Sequence, residues 1–138
     1  MPVKIPPKII HIFGNPLLDF DNLPIKMAPK LKKVFPKINF IITDPNENLK
    51  PDANGELFII DTVDGLTNVK VFDSLKEFQS DKLYSMHDFD LGFNLKLFEK
   101  LGMLKKVKII GVPMKNISEK YIFLKLKAII NLCVLTKE

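Results

Sequence analysis

The stretch Leu57-Phe-Ile-Ile-Asp61 decides the fold class, because it is a strand that is apolar on both sides until its last residue. Such strands are expected where helices cover both faces of a sheet. The stretch Lys8-Ile-Ile-His-Ile-Phe13 is a second β-branched run, and it stops at the turn residues Gly14-Asn15-Pro16. Both segments predict buried strands.

Strands and helices alternate outward from these two segments. Further strands are predicted at Ile38–Thr43, Asn68–Phe72 (pairing at an edge), Lys82–Met86 and Val107–Gly111. Helices are predicted from near Asn22 with a kink at Pro29, from Asp90 to a left-handed Gly102, and from Ser118 toward Thr136. The core-facing positions of the first two helices are predicted as Leu23, Met27, Leu31, Val34, Phe93, Leu97, Phe98 and Leu101. This alternation predicts an α/β domain with a mostly parallel or mixed sheet of five to six strands.

Length and composition set the class of protein. The chain has 138 residues, of which 46% are hydrophobic, so we expect residues 1–138 to form one domain with a real core. No apolar run approaches the roughly 20 residues that cross a bilayer, and the amino terminus has no signal-peptide core. A single cysteine, Cys133, excludes an internal disulfide framework and a Cys-based zinc site. We therefore expect a cytoplasmic protein without membrane insertion.

The charge pattern argues against a nucleic-acid partner. The net charge is +5, but every basic residue is a lysine, and the lysines are spread among acidic residues. Arginine is the usual residue for bidentate recognition of guanine and phosphate. The sequence also has neither a G-x-G-x-x-G nor a P-loop pattern, so we expect no organic cofactor.

Polar residues at predicted strand ends form a candidate site. Asp21 lies in the loop after the first strand, Asp61 ends the third, and His87 follows the Lys82–Met86 strand. Ligands of open α/β sheets bind beyond the carboxyl ends of the strands, so these side chains could converge. Two carboxylates and one imidazole suit a divalent transition metal with open positions. Helix and loop capping by the aspartates, and a pairing of His87 with Asp88 or a carbonyl, are the alternatives.

Four other residues have simpler interpretations. Gly14 and Asn15 permit a tight turn, which either ends the strand or lines a cleft. His11 alternates with isoleucines inside a strand and is interpreted as structural. Cys133 lies among apolar residues of the last helix and is interpreted as a core or interface thiol.

Three segments together resemble the hydrogenase maturation endopeptidase family. The segments are Ile12-Phe-Gly-Asn-Pro-Leu-Leu-Asp-Phe-Asp21, Leu57-Phe-Ile-Ile-Asp-Thr-Val-Asp-Gly65 and Ser85-Met-His-Asp-Phe-Asp-Leu-Gly-Phe93. The family has an acidic residue seven positions after the glycine of its first turn, then a strand-ending aspartate, then a Ser-x-His before a Leu-Gly helix. Asp21, Asp61 and His87 match these positions in order. The run before Phe93 is similar to archaeal members.

The resemblance implies a fold, an activity and a partner. The fold would be a three-layer α/β/α sandwich of the phosphorylase/hydrolase-like type. The activity would be that of an aspartyl-type endopeptidase, which removes the carboxy-terminal extension of a nickel–iron hydrogenase large-subunit precursor after nickel insertion. Asp21, Asp61 and His87 would be catalytic and would contact nickel supplied by that substrate, so a permanent cofactor is not required.

The chain departs from the family pattern at the rim of this site. Phe20 stands where the family often has a second acidic residue, and Asn22 and Pro24 replace glycines. These changes bear on substrate choice. Two alternative functions are open: a non-catalytic accessory protein that binds the precursor or nickel, and a general metal-dependent peptidase. We expect a monomer or a weak homo-oligomer.

Overall fold

The computed structural model of the chain describes residues 8–13, 23–43, 49–63, 65–74, 96–114 and 118–135. Residues 96–100 are helical. The other helices and strands of this part are β1 (Ile9–Ile12), α1 (Leu23–Val34), β2 (Asn39–Ile42), β3 (Glu56–Val63), β4 (Lys70–Phe72), β5 (Lys106–Pro113) and α2 (Glu119–Cys133). The predicted strand at Lys82–Met86 and the predicted helix start at Asp90 lie outside the described residues.

The strands form one mixed sheet in the order β2-β1-β3-β5-β4. The pairs β1–β2, β1–β3 and β3–β5 are parallel, and β4 runs antiparallel to β5 as the outermost of the described strands on that side. The longest pairing joins β3 to β5, from Glu56 opposite Lys106 to Val63 opposite Pro113. The predicted α/β fold with a mixed sheet is confirmed, and the strand predicted at Asn68–Phe72 corresponds to β4, which is the last of the described strands on its side of the sheet.

Helices α1 and α2 cover one face of the sheet. Successive side chains of a strand point to opposite faces, so alternate residues of the central strands belong to this face. Its core joins strand residues to residues of both helices: Ile10, Ile12, Phe40, Phe58, Ile60, Ile110, Val112, Met27, Leu31, Ile122, Leu126 and Ile130. The burial of these side chains explains why the central strands lack polar residues on this face.

The opposite face of the sheet carries a second apolar cluster. Its buried members are Phe13, Leu49, Leu57, Ile59, Val63, Phe72, Val107 and Ile109, with Leu66 and Leu104 packed against them. We call this group the second cluster. The nearly continuous apolar sequence of β3 is thus explained by burial on both faces, as predicted.

The first helix differs from its prediction at one core position. Met27 and Leu31 are buried as expected, but Val34 is 37% exposed, and Phe35, just past the end of α1, is buried instead. The helix continues through Pro29 to Val34. Since the chain turns after Val34, the next side chain reaches the core, and helical spacing no longer predicts which residue is buried.

The helix that ends at Gly102 also differs from its prediction. Its end is confirmed, because Gly102 has a φ of +71° and the Met103 amide donates to the Phe98 carbonyl. However, Leu97 and Leu101 are 45% and 61% exposed, and only Phe98 of the three described apolar residues is half-buried. The spacing correctly indicates a helix but not the extent to which neighbouring elements cover it.

The last helix begins as predicted. Ser118 is its N-cap, and the Ser118 hydroxyl accepts a hydrogen bond from the Tyr121 amide at 3.4 Å. Cys133, at its end, is half-buried against the α1–α2 core. No helix in the described part of the chain is long and apolar enough to cross a membrane.

Candidate functional site

Asp61 lies within β3, not at its end. The strand continues through Thr62 to Val63, which pair with Val112 and Pro113. The prediction that Asp61 ends the strand is therefore wrong. The physical reason is that β5 extends past this point and supplies hydrogen-bond partners for two more residues of β3.

Asp61 nevertheless lies at the carboxyl edge of the neighbouring strand. The pairing of β1 with β3 ends at Ile12 opposite Ile60, and the Phe13 amide donates to the Ile60 carbonyl at 2.9 Å. On the other side of β1, the Thr43 amide donates to the Ile12 carbonyl at 2.9 Å. Asp61 is therefore the first residue of β3 beyond the last paired residue of β1.

This position coincides with the switch point of the sheet. The chain moves from β1 to β2 on one side, and then crosses to β3 on the other side of β1. Connections that diverge in this way leave a crevice outside the carboxyl ends of the two diverging strands, where α/β proteins bind ligands. Asp61 is the carboxylate that the described part of the chain provides there.

The Asp61 side chain is nearly inaccessible, with 3% of its surface exposed. By strand alternation it shares the face of Leu57, Ile59 and Val63, which all belong to the second cluster. Aspartate is rarely buried to this degree unless it is paired or functional. The burial of Asp61 and its location beside the switch point together make it the candidate residue of this crevice.

The remaining predicted site residues lie outside the described residues. These are Gly14, Asn15, Asp21 and His87. Gly14 and Asn15 follow Phe13 directly in the chain, and Phe13 is the residue next to Asp61 in the continued β1–β3 register. Within the described ranges there is no group of three His, Cys, Asp or Glu residues that could hold a metal ion. The ligand set thus stays a prediction.

A second polar pair lies on the same face, and sequence reasoning did not find it. His11 Nδ1 lies 2.8 Å from Thr43 Oγ1, and the Thr43 hydroxyl lies 3.3 Å from the Ile41 carbonyl. With the hydroxyl hydrogen directed at that carbonyl, Nδ1 carries the imidazole proton and donates to Thr43. Burial lowers the pKa of His11 from its ordinary value of 6.5. The pair is consistent with the structural interpretation of His11.

Gly111 is the register partner of Asp61 on β5 and leaves space beside it. A Cβ atom at this position would lie 2.8 Å from Leu66 Cδ1, 3.0 Å from Phe72 Cε2 and 3.2 Å from Val63 Cγ2. These are second-cluster side chains, so the open side of Gly111 is on the Asp61 face. The absence of a side chain at Gly111 therefore lets Leu66 pack beside the Asp61 position.

The architecture is that of an α/β protein with its crevice at the β1–β3 switch point, and the same fold occurs in solved hydrogenase maturation proteases. The NiFe hydrogenase maturation protease HybD from Thermococcus kodakarensis has a TM-score of 0.65 over 94% of this chain and 99% of its own, with 22% identity. The hydrogenase maturating endopeptidase HybD from E. coli has a TM-score of 0.64 over 91% and 94%, with 14% identity. The hydrogenase 3 maturation protease has a TM-score of 0.57 over 88% and 87%, with 15% identity.

These similarities establish the fold. No protein-family model and no curated protein matches the chain. The fold implied by the sequence motifs is thereby confirmed, and it is shared over almost the whole length of the chain and of the two HybD proteins.

Proposed function

We propose that this protein is a hydrogenase maturation endopeptidase. It would remove a carboxy-terminal extension from the large-subunit precursor of a nickel–iron hydrogenase after nickel insertion. The observation that carries the proposal is the buried Asp61 at the β1–β3 switch point, in a fold shared with solved hydrogenase maturation proteases. The order and spacing of Asp21, Asp61 and His87 support it from the sequence.

In this proposal the three side chains act on nickel that belongs to the substrate. Asp21, Asp61 and His87 would offer two carboxylates and an imidazole, and the remaining nickel positions would be filled by ligands of the precursor. Nickel would then serve as the recognition feature, and cleavage would be restricted to loaded precursor. Gly14 and Asn15 would line the cleft by bringing backbone close to the bound chain.

Peptide hydrolysis needs a nucleophile and a proton donor. We infer that one of the carboxylates activates a water molecule, whose oxygen bonds to the scissile carbonyl carbon. The carboxylate takes a proton from this water and passes it to the peptide nitrogen, the bond from the carbonyl carbon to that nitrogen breaks, and the nitrogen leaves as an amine. A buried carboxylate in a crevice is suited to this role, since few competing water molecules surround it.

The setting of the reaction follows from the same proposal. The partner is the nickel-loaded precursor, and the location is the cytoplasm of an archaeal cell. The net charge of +5 consists of dispersed lysines, so it is assigned to a solvated surface and not to a nucleic-acid site.

The test is to mix the purified protein with nickel-loaded precursor and to measure the mass of the precursor. We expect the wild-type protein to release a carboxy-terminal peptide. Asp61→Asn should lower the rate by about 10²–10⁴-fold, as removal of an acid–base group does. Asp21→Asn and His87→Gln should have effects of the same order. Glu99→Gln, at an exposed carboxylate of the helical residues 96–100, is the matched control and should cleave normally.

Two outcomes would contradict the proposal. A wild-type protein that binds the precursor but leaves its mass unchanged is a non-catalytic accessory protein. A protein that cleaves unrelated unfolded chains as fast as loaded precursor is a general peptidase. Precursor without nickel should remain uncut, and its cleavage would contradict the assigned role of the metal.

A further inference from the structure

The loop after β3 is held in place at two points. Gly65 has a φ of +90°, which turns the chain back over the sheet after Val63. Leu66 then packs over Gly111 on the Asp61 face. Two residues later, the Asn68 side-chain amide exchanges hydrogen bonds with the Tyr121 hydroxyl of α2 at 3.1 and 3.2 Å. The loop is therefore anchored both to β5 and to α2.

The anchor at Gly111 places Leu66 next to Asp61. Asp61 and Gly111 are direct register partners on adjacent parallel strands, so their Cα atoms lie about 5 Å apart. Leu66 Cδ1 lies 2.8 Å from the point where a Cβ of residue 111 would be. A leucine side chain in that position lies on the β5 side of Asp61 and on the same face of the sheet.

We propose that Leu66 is a positioning residue of the candidate site, which shields the Asp61 carboxylate from water on the β5 side and limits its rotation. The effect on catalysis rests on the proposed endopeptidase function; the shielding itself does not. Exclusion of water strengthens the electrostatic interactions of a carboxylate, because the local dielectric constant is lower. Gly111 is the residue that makes this arrangement possible, since any side chain there would displace Leu66.

The shielding is tested by the reactivity of a thiol at position 61. The variant Asp61→Cys is prepared with Cys133→Ser, so that the introduced thiol is the only one, and its alkylation by iodoacetamide is followed by mass spectrometry. Adding Leu66→Ala should raise the alkylation rate at least about tenfold, because the thiol becomes exposed. Adding Gly111→Ala should also raise it, since the new methyl group displaces Leu66.

The matched control is Leu104→Ala. Leu104 is also a half-buried leucine against the second cluster, but it precedes β5, at the opposite end of that strand from Gly111. Equal alkylation rates in the Leu66→Ala and Leu104→Ala backgrounds would overturn the proposal. Urea unfolding of each variant shows whether a fast alkylation rate comes from unfolding of the whole protein. Leu66→Met keeps the side-chain volume and should restore the slow alkylation rate.

Cleavage kinetics then separate this inference from the proposed function. With an intact Asp61, Leu66→Ala should lower kcat about tenfold or more while KM changes little, and Leu104→Ala should change neither. Normal kcat in Leu66→Ala overturns the positioning role. A wild-type protein that cleaves no precursor contradicts the endopeptidase function and with it the effect of Leu66 on cleavage, whereas the alkylation rates still decide the shielding.

Discussion

At the scale of single residues, His11 has the clearest chemical consequence. Its imidazole is half-buried on β1 and is bonded to Thr43 on the neighbouring strand. Burial lowers the pKa of His11 below 6.5, because the charged form loses solvation. The neutral imidazole is therefore the form that the folded protein prefers.

His11 should make the protein less stable at mildly acidic pH. The unfolded chain takes up a proton near pH 6.5, whereas the folded chain does so only at lower pH, so stability is lost as the pH falls below 6.5. The free energy of unfolding in urea should thus decrease between about pH 7.5 and about pH 5.5. His11→Gln should make this decrease smaller. If the stability of that variant depends on pH as strongly as that of the wild type, His11 is not the cause of the decrease.

At the scale of elements, two glycines have left-handed backbone conformations in different surroundings: Gly102 follows a helix, and Gly55 precedes a strand. Gly102 closes the helical residues 96–100 with a φ of +71°, and nothing lies within 4 Å of a Cβ placed on it. Gly55 precedes β3 with a φ of +77°, in a turn where Asp52 Oδ1 accepts from the Asn54 and Glu56 amides. A Cβ at Gly55 would lie 2.9 Å from Lys105 Cγ.

Alanine substitutions should therefore differ in cost. Gly102→Ala should lower the free energy of unfolding by about 1 kcal/mol, which is the cost of a left-handed backbone for a residue with a Cβ. Gly55→Ala should cost more, since the Lys105 side chain must also move. Urea denaturation of both variants measures the difference, and Gly102→Asn should lose less than Gly102→Ala. If Gly102→Ala leaves the free energy of unfolding unchanged, position 102 does not require a left-handed residue and the prediction is contradicted.

At the scale of the whole molecule, the outer side of α2 is an exposed apolar stripe. It consists of Tyr121, Leu124 and Leu132 of α2 and of Leu135 just past its end, which are 39%, 54%, 72% and 42% exposed. Exposed lysines border it at Lys120, Lys125 and Lys127. Two copies that met through this stripe would bring these lysines close together, and like charges oppose association.

The oligomeric state should therefore depend on salt. We expect a monomer at low ionic strength and weak self-association at about 0.5 M salt, where charge repulsion is screened within a few ångströms. Sedimentation velocity at several protein concentrations measures this. Leu132→Lys should abolish the association, whereas Leu101→Lys, at an exposed leucine that does not belong to α2, should not. A stable dimer at low salt would contradict the prediction.

Much of the fold, and the approximate position of Asp61 within it, could be predicted from the sequence. The β-branched runs predicted the strands, and the position of Asp61 after an apolar run predicted its place near the carboxyl edge. The exact end of β3 could not be predicted, since a strand continues for as long as its neighbour offers hydrogen-bond partners. Asp21, His87, Gly14 and Asn15 stay predictions, because they lie outside the described residues.

The sequence by itself determined the α/β class, the helix ends at Ser118 and Gly102, and the identity of the candidate carboxylates, because these depend on local patterns of apolar, capping and turn residues. Only the tertiary structure decided the strand order, the switch point at β1 and β3, the contact of His11 with Thr43, and the packing of Leu66 over Gly111. These depend on pairings between segments far apart in the chain. Local propensities carry no information about such pairings.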